Sequence, residues 1–126
     1  LDAGIGMVLA ELESSGQATN TLVIFLADHG PQFSRGKGSI YEGGLKVPLL
    51  LNWPERLKPG QVREELVSEI DLLPTVLEAA SLAGQPELPG RSLLALNRQA
   101  LPDRAWALTS SLHTFTGACA CSSRFR

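Results

Sequence analysis

"LVIFLADHGPQFSRGKGSIYEGG" runs from Leu22 to Gly44, and its first six residues are apolar without interruption before Asp28, His29 and Gly30. A short run that is apolar throughout and contains β-branched residues predicts a strand over Thr21 to Ala27. That pattern is typical of a parallel strand covered on both faces. In open α/β sheets ligands bind beyond the carboxyl ends of strands, which is where Asp28 and His29 fall. Aspartate offers a hard anionic oxygen and neutral histidine a nitrogen. A sharp turn at Gly30 would let these neighbours share one metal ion. The same three residues also suit a plain turn, since Asp and Gly are both favoured there.

Nine residues beyond Asp28 stands Lys37, between Gly36 and Gly38. A lysine framed by glycines can approach an anion closely, with backbone N–H groups helping to hold its oxygens. The alternative is a solvated surface lysine, and Arg35 reads as such an ordinary surface cation. Glu42 is assigned a structural role, pairing with Lys37 or Lys46 or capping nearby amides. His113, in the polar stretch "SSLHTFT", is a further candidate for substrate binding or simply an exposed imidazole.

Working outward, "LDAGIGMVLAELESSG" places Ile5, Val8, Leu9 and Leu12 on one helical face, with Gly16 as the stop. Val47 to Asn52 reads as a second strand, with Pro48 near its start, where a missing N–H does least harm. A second helix is expected to open at Asp71, with Pro74 in its first turn. Leu73, Val76, Leu77 and Ala80 form its expected buried stripe, and Gly84 closes it. Arg91 to Leu96 suggests a short helical turn, and Trp106 to Thr109 a weak strand. Helix, strand, loop, strand and helix is the rhythm of an α/β layer fold. So few strands leave sheet edges and one face uncovered, so the reading is a piece of a larger α/β domain.

The 126 residues suffice for one domain, and 44% hydrophobic residues with mean hydropathy +0.06 describe a globular chain. A net charge of −2 and pI of about 5.6 give no broad basic surface, so no nucleic-acid partner is expected. No stretch approaches the roughly 18 to 20 apolar residues of a transmembrane segment. The chain opens at Leu1 without methionine or a signal-like segment, and the expectation is that its start is missing. Cys119 and Cys121 lie too close for an unstrained mutual disulfide.

"ADHG", "GKGSIYEGG" and "VPLLLNWP", followed by "SEIDLLPTVLEAASLAG" and "GRSLL", together closely resemble the second half of the sulfatase catalytic domain. The likeness spans roughly Leu1 to Leu96. The spacing Asp-x-Gly-x-x-Phe-x-x-Gly-basic from Asp28 to Lys37 resembles the sulfamidase (heparan N-sulfatase) branch and its bacterial relatives in particular.

The resemblance implies an alkaline-phosphatase-like sandwich with a mostly parallel sheet flanked by helices. Asp28 would be a metal ligand, His29 would occupy the adjoining ligand position, and Lys37 would contact the sulfate. It also implies a calcium ion, although the imidazole of His29 stands where calcium prefers oxygen, so Mn²⁺ and Zn²⁺ are retained. A formylglycine nucleophile is expected upstream, with a sulfated small molecule or glycan as substrate. The implied location is periplasmic, extracellular or lysosomal. The nucleophile motif Cys-x-Pro/Ser-x-Arg is not met at either cysteine, because Phe125 and Ser123 occupy the places where arginine belongs. Residues 97–126 depart from the family pattern and read as the start of a subdomain or an aberrant tail. Two further readings stay open: a phosphodiesterase or phosphonate hydrolase of the same superfamily, and an inactive truncated chain.

Overall fold

A computed structural model describes residues 1–84, 86–97, 107–109 and 119–121 of the chain. Helix α1 spans Asp2–Ser14 and ends where Ser15 and Gly16 turn their amides back onto the carbonyls of Glu11 and Glu13. Gly16 adopts a φ of +72°, the left-handed conformation that ends many helices. Ile5 and Leu12 of the apolar stripe are half-buried, whereas Val8 is exposed, so this face is incompletely covered by the described residues.

Strand β1, Val23–Leu26, falls within the predicted apolar run, and β2, Leu49–Asn52, within the second. They pair with each other, from Val23 opposite Asn52 to Leu26 opposite Leu49, and the pairing is antiparallel. A parallel strand covered on both faces was expected at β1. Its observed neighbour runs the other way, and all four of its residues are only half-buried. The long loop between them, with a single helical turn α2 at Glu42–Leu45, brings the chain back on the same side and so reverses it. An apolar run reports burial but not the direction of the neighbouring strand. Along β2 burial alternates, and Leu49 and Leu51 pack against the core while Leu50 faces out.

That core gathers Val67, Leu93 and Leu96, with Trp53 and Leu94 also buried. Helix α3, Leu72–Ala79, follows a 3-10 turn at Glu69–Asp71, and the helical turn expected near Arg91 is a 3-10 segment at Leu93–Asn97. The start at Asp71 and Pro74 in the first turn are as read from the sequence. The buried stripe is not. Leu73 and Val76 are 52% and 47% exposed, whereas Asp71 and Thr75 are completely buried.

Hydrogen bonds rather than apolar burial set the helix's rotation. Asp71 Oδ2 accepts from the Ser68 amide and Oδ1 from the Arg91 amide, both at 2.9 Å. One turn on, Thr75 Oγ1 donates to the Asp71 carbonyl at 2.6 Å and accepts from the Leu93 amide at 2.9 Å. The polar edge of α3 is thereby stitched to residues 91–93, and its apolar flank turns outward. Gly90 makes this approach possible, since a Cβ there would lie under 3.0 Å from the Ile70 carbonyl.

Strand β3, Ala107–Thr109, pairs antiparallel with β4, Cys119–Cys121, which agrees with the strand expected near Trp106. No helix among the described residues is long and apolar enough to cross a membrane.

Candidate metal and anion site

Asp28 and His29 follow directly on β1, where its backbone leaves the two-stranded ladder. His29 Nδ1 donates to the Gly30 carbonyl at 2.7 Å, a bond that fixes the ring and leaves Nε2 as the available donor atom. Nε2 stands 3.5 Å from Asp28 Oδ1. Ligand bonds to small divalent metals are about 2.0–2.2 Å, so two atoms at this separation fit around one ion. The Asp28 side chain is 84% exposed, which leaves room for further ligands. The donor set is compatible with a divalent cation, and its oxygen–nitrogen character suits Mn²⁺ or Zn²⁺ at least as well as calcium. Among the described residues no three His, Cys, Asp or Glu side chains gather into a metal cluster.

Lys37 lies on a loop that glycines allow to fold upon itself. The Gly30 amide donates to the Gly44 carbonyl at 3.0 Å, and the Lys37 amide to the Pro31 carbonyl at 2.9 Å. Gly30, Gly36 and Gly44 are buried. A Cβ at Gly30 would fall under 3.0 Å from the Gly43 carbonyl, and one at Gly36 would do the same at the Pro31 carbonyl. The glycines flanking Lys37 therefore serve backbone packing first. Gly36 permits close contact, and Gly38 takes a φ of +76°. The lysine side chain is left exposed at the surface of this knot.

The structure thus brings Asp28 and His29 together and anchors Lys37 on the loop that begins at Gly30. Lys37 forms no ion pair among the described residues. Glu42 opens α2 and accepts from the Lys46 amide through its carbonyl, but its carboxylate pairs with neither Lys37 nor Lys46 among the described residues. His113 lies outside the described residues.

One nearby acid escaped the sequence reading. The carboxyl of Glu69 is raised above its ordinary value of 4.5, first by desolvation and then by the negative charge of Asp28. The 3-10 turn at Glu69–Asp71 therefore lies within electrostatic reach of Asp28. The Ser68-x-x-Asp71 spacing, a capping-box pattern that the structure forms, was the available signal that a fixed turn begins here.

Raising a carboxyl's folded value favours its protonated form, so the ionised group destabilises the fold. Glu69→Gln is accordingly expected to match the parent in acid below 4.5 and to become the more stable chain as pH rises through that value. Thermal melts of the metal-free proteins across pH check this, and a constant difference at every pH would remove the coupling.

An α/β chain with a carboxylate–imidazole pair at a strand end and a lysine on the adjoining glycine-rich loop is suited to holding a metal and an anion side by side. Residues 1–82 match the family model described as Sulfatase, and the chain belongs to the sulfatase family. Murine steryl-sulfatase is 40% identical over 117 residues, covering 78% of this chain and 19% of the relative. Human arylsulfatase A is 43% identical over 105 residues, covering 74% of this chain and 20% of the relative. Human N-sulphoglucosamine sulphohydrolase is 41% identical over 104 residues, covering 75% and 21%. The chain thus spans about one fifth of the length of these curated relatives. Three relatives with different substrates in their names match almost equally well, so identity alone does not favour the sulfamidase branch.

Proposed function

We propose that this chain contributes part of the active site of a metal-dependent sulfatase, a hydrolase of sulfate esters or sulfamates. The observation that supports this most directly is the 3.5 Å approach of His29 Nε2 to Asp28 Oδ1 at the end of β1, in a chain of the sulfatase family. Asp28 and His29 would hold a divalent ion, with Ca²⁺ the family expectation and Mn²⁺ or Zn²⁺ the alternatives raised by the imidazole. When bound, that ion supplies Lewis-acid charge toward the sulfate oxygens.

Lys37 carries the chain's own share of the chemistry. Its ammonium neutralises non-bridging oxygens of a sulfate as the S–O or S–N bond breaks, and the packed backbone beneath it limits the reorganisation needed. His113 remains a candidate substrate contact. The β1–β2 pair would belong to a larger, mostly parallel sheet of an alkaline-phosphatase-like sandwich. Residues 1–96 would be the catalytic-domain portion, and 97–126 a subdomain or aberrant tail. The substrate would be a sulfated small molecule or glycan, with a formylglycine nucleophile supplied from upstream sequence and no nucleic acid involved. A phosphodiesterase of the same superfamily is the competing reading, because sulfate and phosphate esters present the same tetrahedral anionic geometry.

Metal and anion binding test the residue roles separately. Asp28→Ala is expected to weaken Mn²⁺ binding by at least about tenfold in calorimetric titration, since loss of even a supporting group at a metal site costs about 10–100-fold and Asp28 would hold the ion directly. Lys37→Ala should leave that affinity unchanged and weaken inorganic sulfate binding to the metal-loaded protein. Unchanged Mn²⁺ affinity in Asp28→Ala would remove the metal assignment. Sequencing the native transcript through both ends of this segment separates the two reaction classes. An in-frame upstream Cys/Ser-x-Pro/Ser-x-Arg favours sulfate chemistry, and a bare Thr or Ser in that place favours phosphoryl transfer.

A further inference from the structure

Arg35, read from the sequence as an ordinary surface cation, has an unusual backbone. Its φ is +62°, a left-handed conformation that residues other than Gly, Asn and Asp seldom occupy. Packing holds it there, because the Arg35 carbonyl faces Gly43, where a Cβ would stand only 3.0 Å away. Gly43 in turn presents its carbonyl to Gly30, the residue following His29. Contacts through the glycine knot therefore tie the backbone of Arg35 to the turn that carries the metal-ligand pair.

The side chain has a partner as well. The Arg35 guanidinium lies over the Tyr41 ring, 5.0 Å from its centroid, and both residues are exposed. No carboxylate pairs with Arg35 among the described residues. A guanidinium stacked on an aromatic face has its plane fixed while its N–H edge stays open, the arrangement that grips a planar or tetrahedral oxyanion with two parallel hydrogen bonds. A strained residue held in place by its surroundings is also a recurrent mark of ligand-clamping sites.

We propose that Arg35, held on Tyr41, is a second anion-binding position two residues from Lys37, which takes a further sulfate or carboxylate on the same sugar substrate. The proposal deepens the sulfatase reading and rests on it for the identity of the first anion. It makes the loop selective for polyanionic over singly charged substrates. Lys37 would meet the reacting sulfate, and Arg35 a charge that does not react.

The test compares the affinities of three probes for the whole chain by NMR titration in low salt. The probes are a monosulfated monosaccharide, the same sugar with a second sulfate, and the same sugar with a carboxylate replacing that second sulfate. The parent is expected to prefer at least one of the doubly charged sugars by roughly tenfold, the effect of one added charge-assisted contact. Which of them it prefers identifies the second anion. Arg35→Gly, which relaxes the backbone while removing the guanidinium, should abolish that preference and leave the monosulfated sugar unaffected. Lys37→Ala should weaken all three probes together.

Absence of a preference in the parent, or its survival in Arg35→Gly, would overturn the proposal. If Arg35→Gly loses the preference while Lys37→Ala changes nothing, the second anion position stands and the role given to Lys37 fails.

Discussion

Asp71→Ala is expected to lower the unfolding free energy by about 2–4 kcal/mol, because each buried or half-buried donor left without its acceptor costs about 1–3 kcal/mol. The carboxylate is fully buried and accepts the amides of Ser68 and Arg91, which belong to segments 20 residues or more apart along the chain. Alanine orphans both. Asp71→Asn keeps an oxygen for one amide but turns an NH₂ toward the other, so it should retain part of the loss and fall between alanine and the parent. Urea denaturation of the three chains measures this, and a change below about 0.5 kcal/mol in the alanine variant, the range of ordinary surface substitutions, would contradict it.

The effect should also spread beyond the helix. Leu49 and Leu51 of β2 pack against the cluster that Leu93 and Leu96 form with Val67, and β2 is the observed partner of β1, the strand that leads into Asp28. A two-stranded pair has little stability of its own, so loosening the stitch between α3 and residues 91–93 should loosen the Asp28–Gly30 turn with it.

Gly30→Ala is the second large effect, and its cause is purely steric. The added methyl would lie under 3.0 Å from a backbone carbonyl, which cannot swing aside as a side-chain end could. The hydrogen bond from Gly30 to the Gly44 carbonyl must break or shift, and with it the fold of the loop bearing Lys37. Exchange of the Gly30 and Lys37 amides with solvent should accelerate about a hundredfold, equivalent to about 2.7 kcal/mol. Gly4→Ala is the control. It stands in helix α1 with nothing within 4 Å of its added Cβ, so alanine there should stabilise the chain by about 0.5–1 kcal/mol. Equal behaviour of the two variants would show that the knot is not formed in solution.

The elements that could be read from sequence were those whose signal is local. The β1 run is bounded by Asp28, the β2 run by Trp53, and α3 begins at Asp71 with Pro74 inside its first turn. Each announces itself within a few residues. Strand direction and helix rotation were not legible, because both depend on partners far along the chain. Leu73 and Val76 look like a core stripe until the bonds from Asp71 and Thr75 to residues 91–93 turn that face outward. At the site, the pairing of Asp28 with His29 follows from adjacency and a turn. The influence of Asp28 on Glu69 arises only once the chain has folded, and nothing in a run of 40 intervening positions advertises it. The glycines around Lys37 were visible as a pattern, but their packing role needed the contacts.

The knot between Gly30 and Gly44 has a consequence for how such a site changes over time. Its shape is written in main-chain atoms and hydrogen bonds among carbonyls and amides, and three of its glycines are closed to any larger residue. The outward-facing positions, including Ser34, Arg35 and Lys37, take little part in making that shape with their side chains. Exchanging those few residues can therefore remake the surface of the loop on an unchanged mount, while the main-chain turn beneath stays as it is.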